Sequence, residues 1–190
     1  MKPFSRPQMS REQVIDYLIK HGLWKDRDLS TVVIVGFRGY YEDSMGKPNR
    51  NDRGIYDDAL FVISPELFVS YNANTDPSRY RLAIATLLPG KHPYKKGLHG
   101  FSRKAGPYRA FRPATSREEL PVKRDGESRI PSARPGRYIN LHCGGKWSTS
   151  SDGCQTIVPE QWGEFRDVVY QEMDRLGQTT VNYYLIEQAA

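Results

Sequence analysis

Apolar and polar positions recur with recognisable periods along most of the chain. Ser10 opens a capping-box pattern closed by Gln13, and Val14, Ile15, Leu18 and Ile19 share one face before Gly22. That spacing predicts an amphipathic helix over 11–21, within an N-terminal helical unit spanning 10–22. The run TVVIVGF is β-branched and apolar, which predicts a buried strand from Thr31 to Phe37. Residues 39–57 mix Gly, Asn, Asp and Pro without period and read as a long surface loop, a type of segment that often carries function. ALFVIS and LFVSYN, joined at Pro65-Glu66, predict a hairpin, and RLAIATLL predicts a third strand ending at Pro89-Gly90.

Between Lys91 and Arg137, Gly and Pro interrupt the chain every few residues, so only short regular structure is expected there. The segment reads as an insertion or lid of about 91–137. RYINLHC alternates Tyr138, Asn140 and His142 with Ile139, Leu141 and Cys143, the period of a strand whose His142 face turns away from the core. Pro159 suits a first helical position, and Trp162, Phe165, Val168, Val169, Met173 and Leu176 follow at helical spacing before Gly177. TTVNYYLIE reads as a closing strand. No solenoid repeat is present, and the pattern predicts a mainly β (α+β) fold with two short sheets, as a single domain over 1–190.

Three Trp, twelve Tyr and seven Phe among 190 residues supply the large side chains that a packed core needs and a disordered chain lacks. There is no run of eighteen apolar residues, and the first thirty are too charged for a secretory signal. The expectation is a protein without a membrane span, made in the cytoplasm. Cys143 and Cys154 are too few for a disulfide framework, and with the histidines they lack the close ligand pairs of a zinc site, so free thiols and no metal are expected.

The net charge of +6 is regional. Residues 91–137 hold thirteen Lys or Arg against four acids, leaving a small acidic excess elsewhere. Such a segment suits an anionic partner (nucleic acid, glycan or cell-wall polymer) or is simply a solvated basic loop. Tyr94, Tyr108 and Phe111 interleave with Lys95, Lys96, Arg103, Arg109 and Arg112, a mixture able to stack bases and neutralise phosphates, although no nucleic-acid motif accompanies it.

The segment NLHCGGKWSTSSDGCQT concentrates the chemistry. A thiolate at Cys154 is a nucleophile and the His142 imidazole a base able to take its proton. Gly153 lets the backbone approach a reacting carbonyl, so that the nearby amides could hold an oxyanion. Tyr138 and Asn140 share the predicted His142 face and would line a cleft and position substrate. His99, within GLHGF, either lines that cleft as a substrate-binding or second proton-transfer group or lies on a surface loop. A lone cysteine is also commonly a buried small apolar residue, so these residues alone leave a non-catalytic basic binding module open.

INLHCGG followed by STSSDGCQ resembles the signature of the L,D-transpeptidase catalytic domain, in which a strand-borne His precedes an S/T-H-G-C motif. The similarity covers mainly 137–158; upstream, LLPGKHPYKKGLHGF is more loosely similar to a family segment leading toward the site. The resemblance implies a β-sandwich with an N-terminal helix and a helix after the catalytic loop. It implies Cys154 as the acylated nucleophile, His142 as general base, the Cys143 carbonyl orienting the imidazole and the Cys143 side chain in the core. Ser151 takes the S/T position, where its hydroxyl would buttress the loop. The implied chemistry is a thioester with a peptidoglycan stem peptide, passed to an amine or to water without a metal or organic cofactor. The chain departs from the pattern at Asp152, which replaces the motif His, and at Gln155 and Thr156. Asp152 either accepts a hydrogen bond from His142 or caps the loop. With no export signal visible, the resemblance suggests a phage-type lytic enzyme that hydrolyses cross-links or stem peptides, acting on the wall from the host periplasm or a virion. A transpeptidase proper and another thiol peptidase or amidase are the alternatives among enzymes.

Overall fold

The computed structural model describes residues 1–24, 30–47 and 50–187. Its strands are β1 (Val33–Arg38), β2 (Asp58–Ile63), β3 (Phe68–Asn74), β4 (Ala85–Leu87), β5 (Gly90–His99), β6 (Tyr108–Pro113), β7 (Glu119–Leu120), β8 (Val122–Arg124), β9 (Gly136–Arg137), β10 (Leu141–Cys143), β11 (Gln155–Ile157) and β12 (Thr180–Glu187). Helix α1 is Arg11–Lys20 and α2 is Pro159–Arg175. Eight strands close into a circuit in the order β1-β12-β5-β6-β10-β11-β3-β2, while β4 with β8 and β7 with β9 form two-stranded ribbons.

The mainly β class and both helices follow the sequence pattern. In α1 the Ser10 hydroxyl accepts from Gln13 N–H while the Gln13 side chain accepts from Ser10 N–H, the reciprocal capping expected. Val14, Ile15 and Leu18 are buried against Val33, Val35 and Phe37 of β1, Ala59 and Phe61 of β2 and Tyr184 of β12. Ile19 lies at the edge of this face, partly exposed. The intervening residues of the same strands, Ile34, Leu60 and Tyr183, face a second core shared with Trp162, Phe165, Val169 and Met173 of α2. Covering both faces explains why β1 and β2 are buried at every position and read as continuous apolar runs. Gly36 belongs to this packing, since a Cβ there would overlap the Tyr183 hydroxyl.

The hairpin forms as expected, with Ile63 paired to Phe68. Residues 39–47 and 50–57 are turns and loop leading into β2; Pro48 and Asn49 of the expected long loop lie outside the described residues.

Four expectations need correction. Two parallel contacts, β1 with β12 and β10 with β11, join the strands into one closed circuit rather than two short sheets. In RLAIATLL only Ala85–Leu87 is strand, and it pairs with β8 outside the barrel. The stretch after Gly90 is not short of regular structure: β5 runs ten residues between β12 and β6, so the first part of the supposed insertion or lid is barrel wall. Pro93 is tolerated because the β6 ladder begins one residue later, at Tyr94, while the Pro93 carbonyl accepts from Ala114 N–H. Finally, RYINLHC is interrupted at Tyr138, whose φ of 57° breaks the strand into β9 and β10.

Candidate active site

Parallel pairing of β10 with β11 sets Leu141 beside Gln155 and His142 beside Thr156. It thereby brings Cys154, the residue before β11, next to Asn140, the residue before β10. Gln155 N–H donates to the Asn140 carbonyl at 2.9 Å, and Asn140 N–H donates to Cys154 Sγ at 3.4 Å. The thiol in turn reaches the Tyr138 carbonyl at 3.5 Å. Cys154 as a residue is partly exposed, but its sulfur sits among these groups, and burial pushes the thiol up to about 11 against the opposing Asn140 N–H.

His142 is 4% exposed. Its Nδ1 donates to the Cys143 carbonyl at 2.8 Å, the position expected of that carbonyl, with the Tyr108 hydroxyl 3.4 Å from the same nitrogen. Tying up Nδ1 leaves Nε2 as the basic lone pair. Burial, then the neighbouring His99, depress the imidazole to about 3, and the Cys143 hydrogen bond opposes them. At neutral pH the site therefore holds a neutral thiol and a neutral base. His99, at the end of β5, stacks on His142 with centroids 3.8 Å apart. It belongs to the cleft rather than to a surface loop.

The loop before Cys154 is held by its hydroxyls. Ser151 Oγ donates to the Cys154 carbonyl at 2.7 Å and accepts Gly153 N–H at 3.0 Å, while Ser151 N–H donates to Ser78 Oγ at 2.7 Å. Ser151 thus ties the loop to the Cys154 backbone. Gly153 is obligatory: its φ is +123°, and a Cβ would overlap the Ala85 carbonyl oxygen. Its amide, however, is occupied by Ser151, so of the two amides considered for an oxyanion the Cys154 N–H remains.

Among the other nominated residues, Asp152 is turned to solvent and Tyr138 leaves the His142 face. Asp152 is exposed and pairs with Arg81 at 3.5 Å; the Cys143 carbonyl occupies the place at His142 Nδ1 where a carboxylate was considered. Tyr138 does not share the His142 face, because its positive φ turns it outward, 55% exposed, with the Arg112 guanidinium 5.3 Å from the ring centroid. It meets Cys154 through its carbonyl. Asn140 is largely buried and its side chain donates to His99 Nδ1 at 3.0 Å, yet with Tyr138 and His99 it lines a separate cavity of about 780 Å³ beside the site, as expected of a cleft-lining pair. The Cys143 side chain is half-buried, packing at the edge of the α2-side core.

Cys154 and His142 open into a cleft of about 630 Å³ walled by Ser78, Arg79, His99, Ser148, Ser150, Ser151 and Asp152. A neighbouring cavity of about 480 Å³ reaches His142 from the Arg103, Tyr108 and Trp162 side. Sequence reasoning missed Ser78 and the part of Tyr108 at the imidazole. Ser78 lies in a loop without period, and Tyr108 was read with the basic stretch.

Six of the thirteen basic residues of that stretch are seen in ion pairs, two of them with acids from outside it. Lys95 and Arg112 pair with Glu118, Lys96 with Asp174, Lys123 with Glu187, Arg134 with Glu127 and Arg137 with Glu119. Among the described residues no three His, Cys, Asp or Glu side chains are grouped to hold a metal ion, and no helix is long and apolar enough to cross a membrane.

No protein-family model and no curated protein sequence matches the chain. Among solved structures, it is similar to the crystal structure of the L,D-transpeptidase (residues 123-326) from Xylanimonas cellulosilytica DSM 15894. The two are 13% identical, with 90% of this chain and 68% of that one covered and a TM-score of 0.41. A superposition this loose does not assign a family.

Proposed function

We propose that the chain is a peptidoglycan-directed cysteine enzyme that cleaves an acyl bond of a stem peptide or cross-link through a thioester on Cys154. The observation that carries this reading is the placement of Cys154 and His142 on one cleft, with His142 Nδ1 fixed by the Cys143 carbonyl. The substrate class rests on the resemblance of residues 137–158 to the L,D-transpeptidase signature.

In the proposed sequence His142 Nε2 takes the Cys154 proton as sulfur attacks the carbonyl carbon, and the Cys154 N–H supports the oxyanion. The tetrahedral species collapses with loss of the amine, which receives the proton from His142. Water then attacks the thioester, giving one proton to His142, which returns it to the departing sulfur. A thiol near 11 and an imidazole near 3 make a resting ion pair unfavourable, so proton transfer accompanies attack rather than preceding it. Water is the proposed acceptor of the acyl group, in keeping with the lytic role inferred from the resemblance. We further propose delivery to the wall in the manner of a phage lytic enzyme.

Mass spectrometry of muropeptides after incubating purified peptidoglycan with the native protein and with Cys154→Ala tests this reading. Loss of a terminal residue or of cross-links with the native protein alone is the expected result. Amine-exchanged products would replace hydrolysis by transfer, and unchanged muropeptides with both proteins would sink the peptidoglycan assignment.

A further inference from the structure

His99 and His142 come from β5 and β10, yet their rings lie 3.8 Å apart between centroids and 8° from parallel. Two imidazoles this close do not readily carry charge together. Asn140 decides which one does. Its side-chain NH2 donates to His99 Nδ1, which must keep its lone pair, so the ring hydrogen of His99 sits on Nε2. His142 is arranged in the opposite sense: Nδ1 gives its hydrogen to the Cys143 carbonyl and Nε2 is free to receive one.

The charged surroundings depress both rings, and His99 itself lowers His142, so the assignment rests on the two hydrogen bonds. Arg103, in the loop after β5, and Arg112 on β6 both bear on His99 and hold it below its ordinary value after burial has done so. Around His142 stand Arg103, the Tyr108 hydroxyl of β6, Cys143 of β10, and Asp152 and Cys154 before β11, with Arg166 of α2 on the shared cavity.

Building on Cys154 and His142 as nucleophile and base, we propose that His99 is a positioning residue, a neutral aromatic floor that fixes the plane of His142, shields one face from water and leaves the pair's single charge to His142. When His142 takes the thiol proton, the imidazolium then lies over the face of an uncharged ring, an attractive arrangement that a protonated His99 would reverse. Asn140 links the parts, with its side chain on His99 and its backbone N–H on the nucleophile.

The test is an NMR titration of the imidazole ring signals in the full chain, native and as His99→Phe, His99→Ala and Asn140→Asp, alongside turnover of a stem-peptide substrate. His99→Phe keeps a flat apolar floor and is expected to leave His142 titrating far below the ordinary histidine range. His99→Ala admits water and should move it upward by about one unit or more. Asn140→Asp sets a carboxylate against His99 Nδ1, so His99 becomes the protonated ring and turnover drops by roughly tenfold or more. An unmoved His142 in His99→Ala, or an equal shift in His99→Phe, overturns the proposal. Should His99→Ala fail to fold, a His99 that stays neutral in Asn140→Asp overturns it instead. The titrations are read on the resting protein, so they stand or fall separately from the muropeptide result.

Discussion

A thiol raised by burial and an imidazole lowered by burial place Cys154 and His142 on opposite sides of neutrality without an ion pair between them. Alkylation of Cys154 by iodoacetamide should therefore be slow at pH 7 and rise about tenfold per pH unit toward 11, because only the thiolate reacts. A rate already level at pH 8 would contradict this. On the proposed mechanism, His142→Ala should lower muropeptide turnover by roughly 10²–10⁴-fold, the usual worth of a positioned general base, with the fold intact by circular dichroism. Ser151→Ala removes the hydroxyl that holds both Gly153 N–H and the Cys154 carbonyl. We expect it to reduce kcat more than it raises KM; an unchanged kcat would show that the loop holds its shape without that hydroxyl. Cys154 and His142 could be nominated because they fall within one short segment whose residue types suggest a thiol and a base, whereas the Cys143 carbonyl came only from the resemblance. The places of Asp152 and Tyr138 were not legible, because Arg81 and the break in backbone at Tyr138 are features of the fold that no local period announces.

At the scale of elements, the stripe and the continuous apolar run were the readable signals. The α1 stripe was clear enough that its cap, its buried side and its stop at Gly22 all followed from spacing. Leu18 lies fully buried against β1, β2 and β12. Leu18→Ala should cost about 2–5 kcal/mol in chemical denaturation; a cost under about 0.5 kcal/mol, the size of an ordinary surface substitution, would show that α1 is not integral to the core. The ten-residue β5 was illegible for the opposite reason. Its glycines and proline suggest turns, and only its neighbours β12 and β6, supplied by distant parts of the chain, hold them extended.

Across the whole molecule, closure of the barrel places a group of acids in the interior. Asp57, just before β2, Asp58 at its start and Asp76 after β3 all lie above the ordinary carboxylate range chiefly through burial, to which the charge of Asp58 adds at Asp57 and Asp76, while the Gly39 N–H and Arg38 oppose the rise at Asp58. Arg38 shares this region, with its Nε on the Thr75 hydroxyl and a terminal nitrogen on the Thr75 carbonyl. Because the folded values are raised, the native protein holds more protons than the unfolded chain between the ordinary carboxylate range and about 8, where Asp57 titrates. Stability contributed by these groups is complete at low pH and is lost as pH climbs through that window. Asp57→Asn should remove part of this loss, so its Tm relative to the native protein should improve from pH 5 to pH 8.5 by about 2–4 °C for each kcal/mol involved. An equal Tm difference at both pH values would refute the assignment. None of this was legible beforehand, since it depends on which acids the closed circuit encloses.

β12 lies between β1 and β5 in that circuit, so a segment that follows His142 and Cys154 in the chain joins two strands that precede them. A nascent chain can expose His142 and Cys154 well before it has the strand that completes the wall around them. The cleft is therefore completed only once β12 has followed, and a chain stopped after Gln178 would contain Cys154 and His142 and no closed barrel to align them.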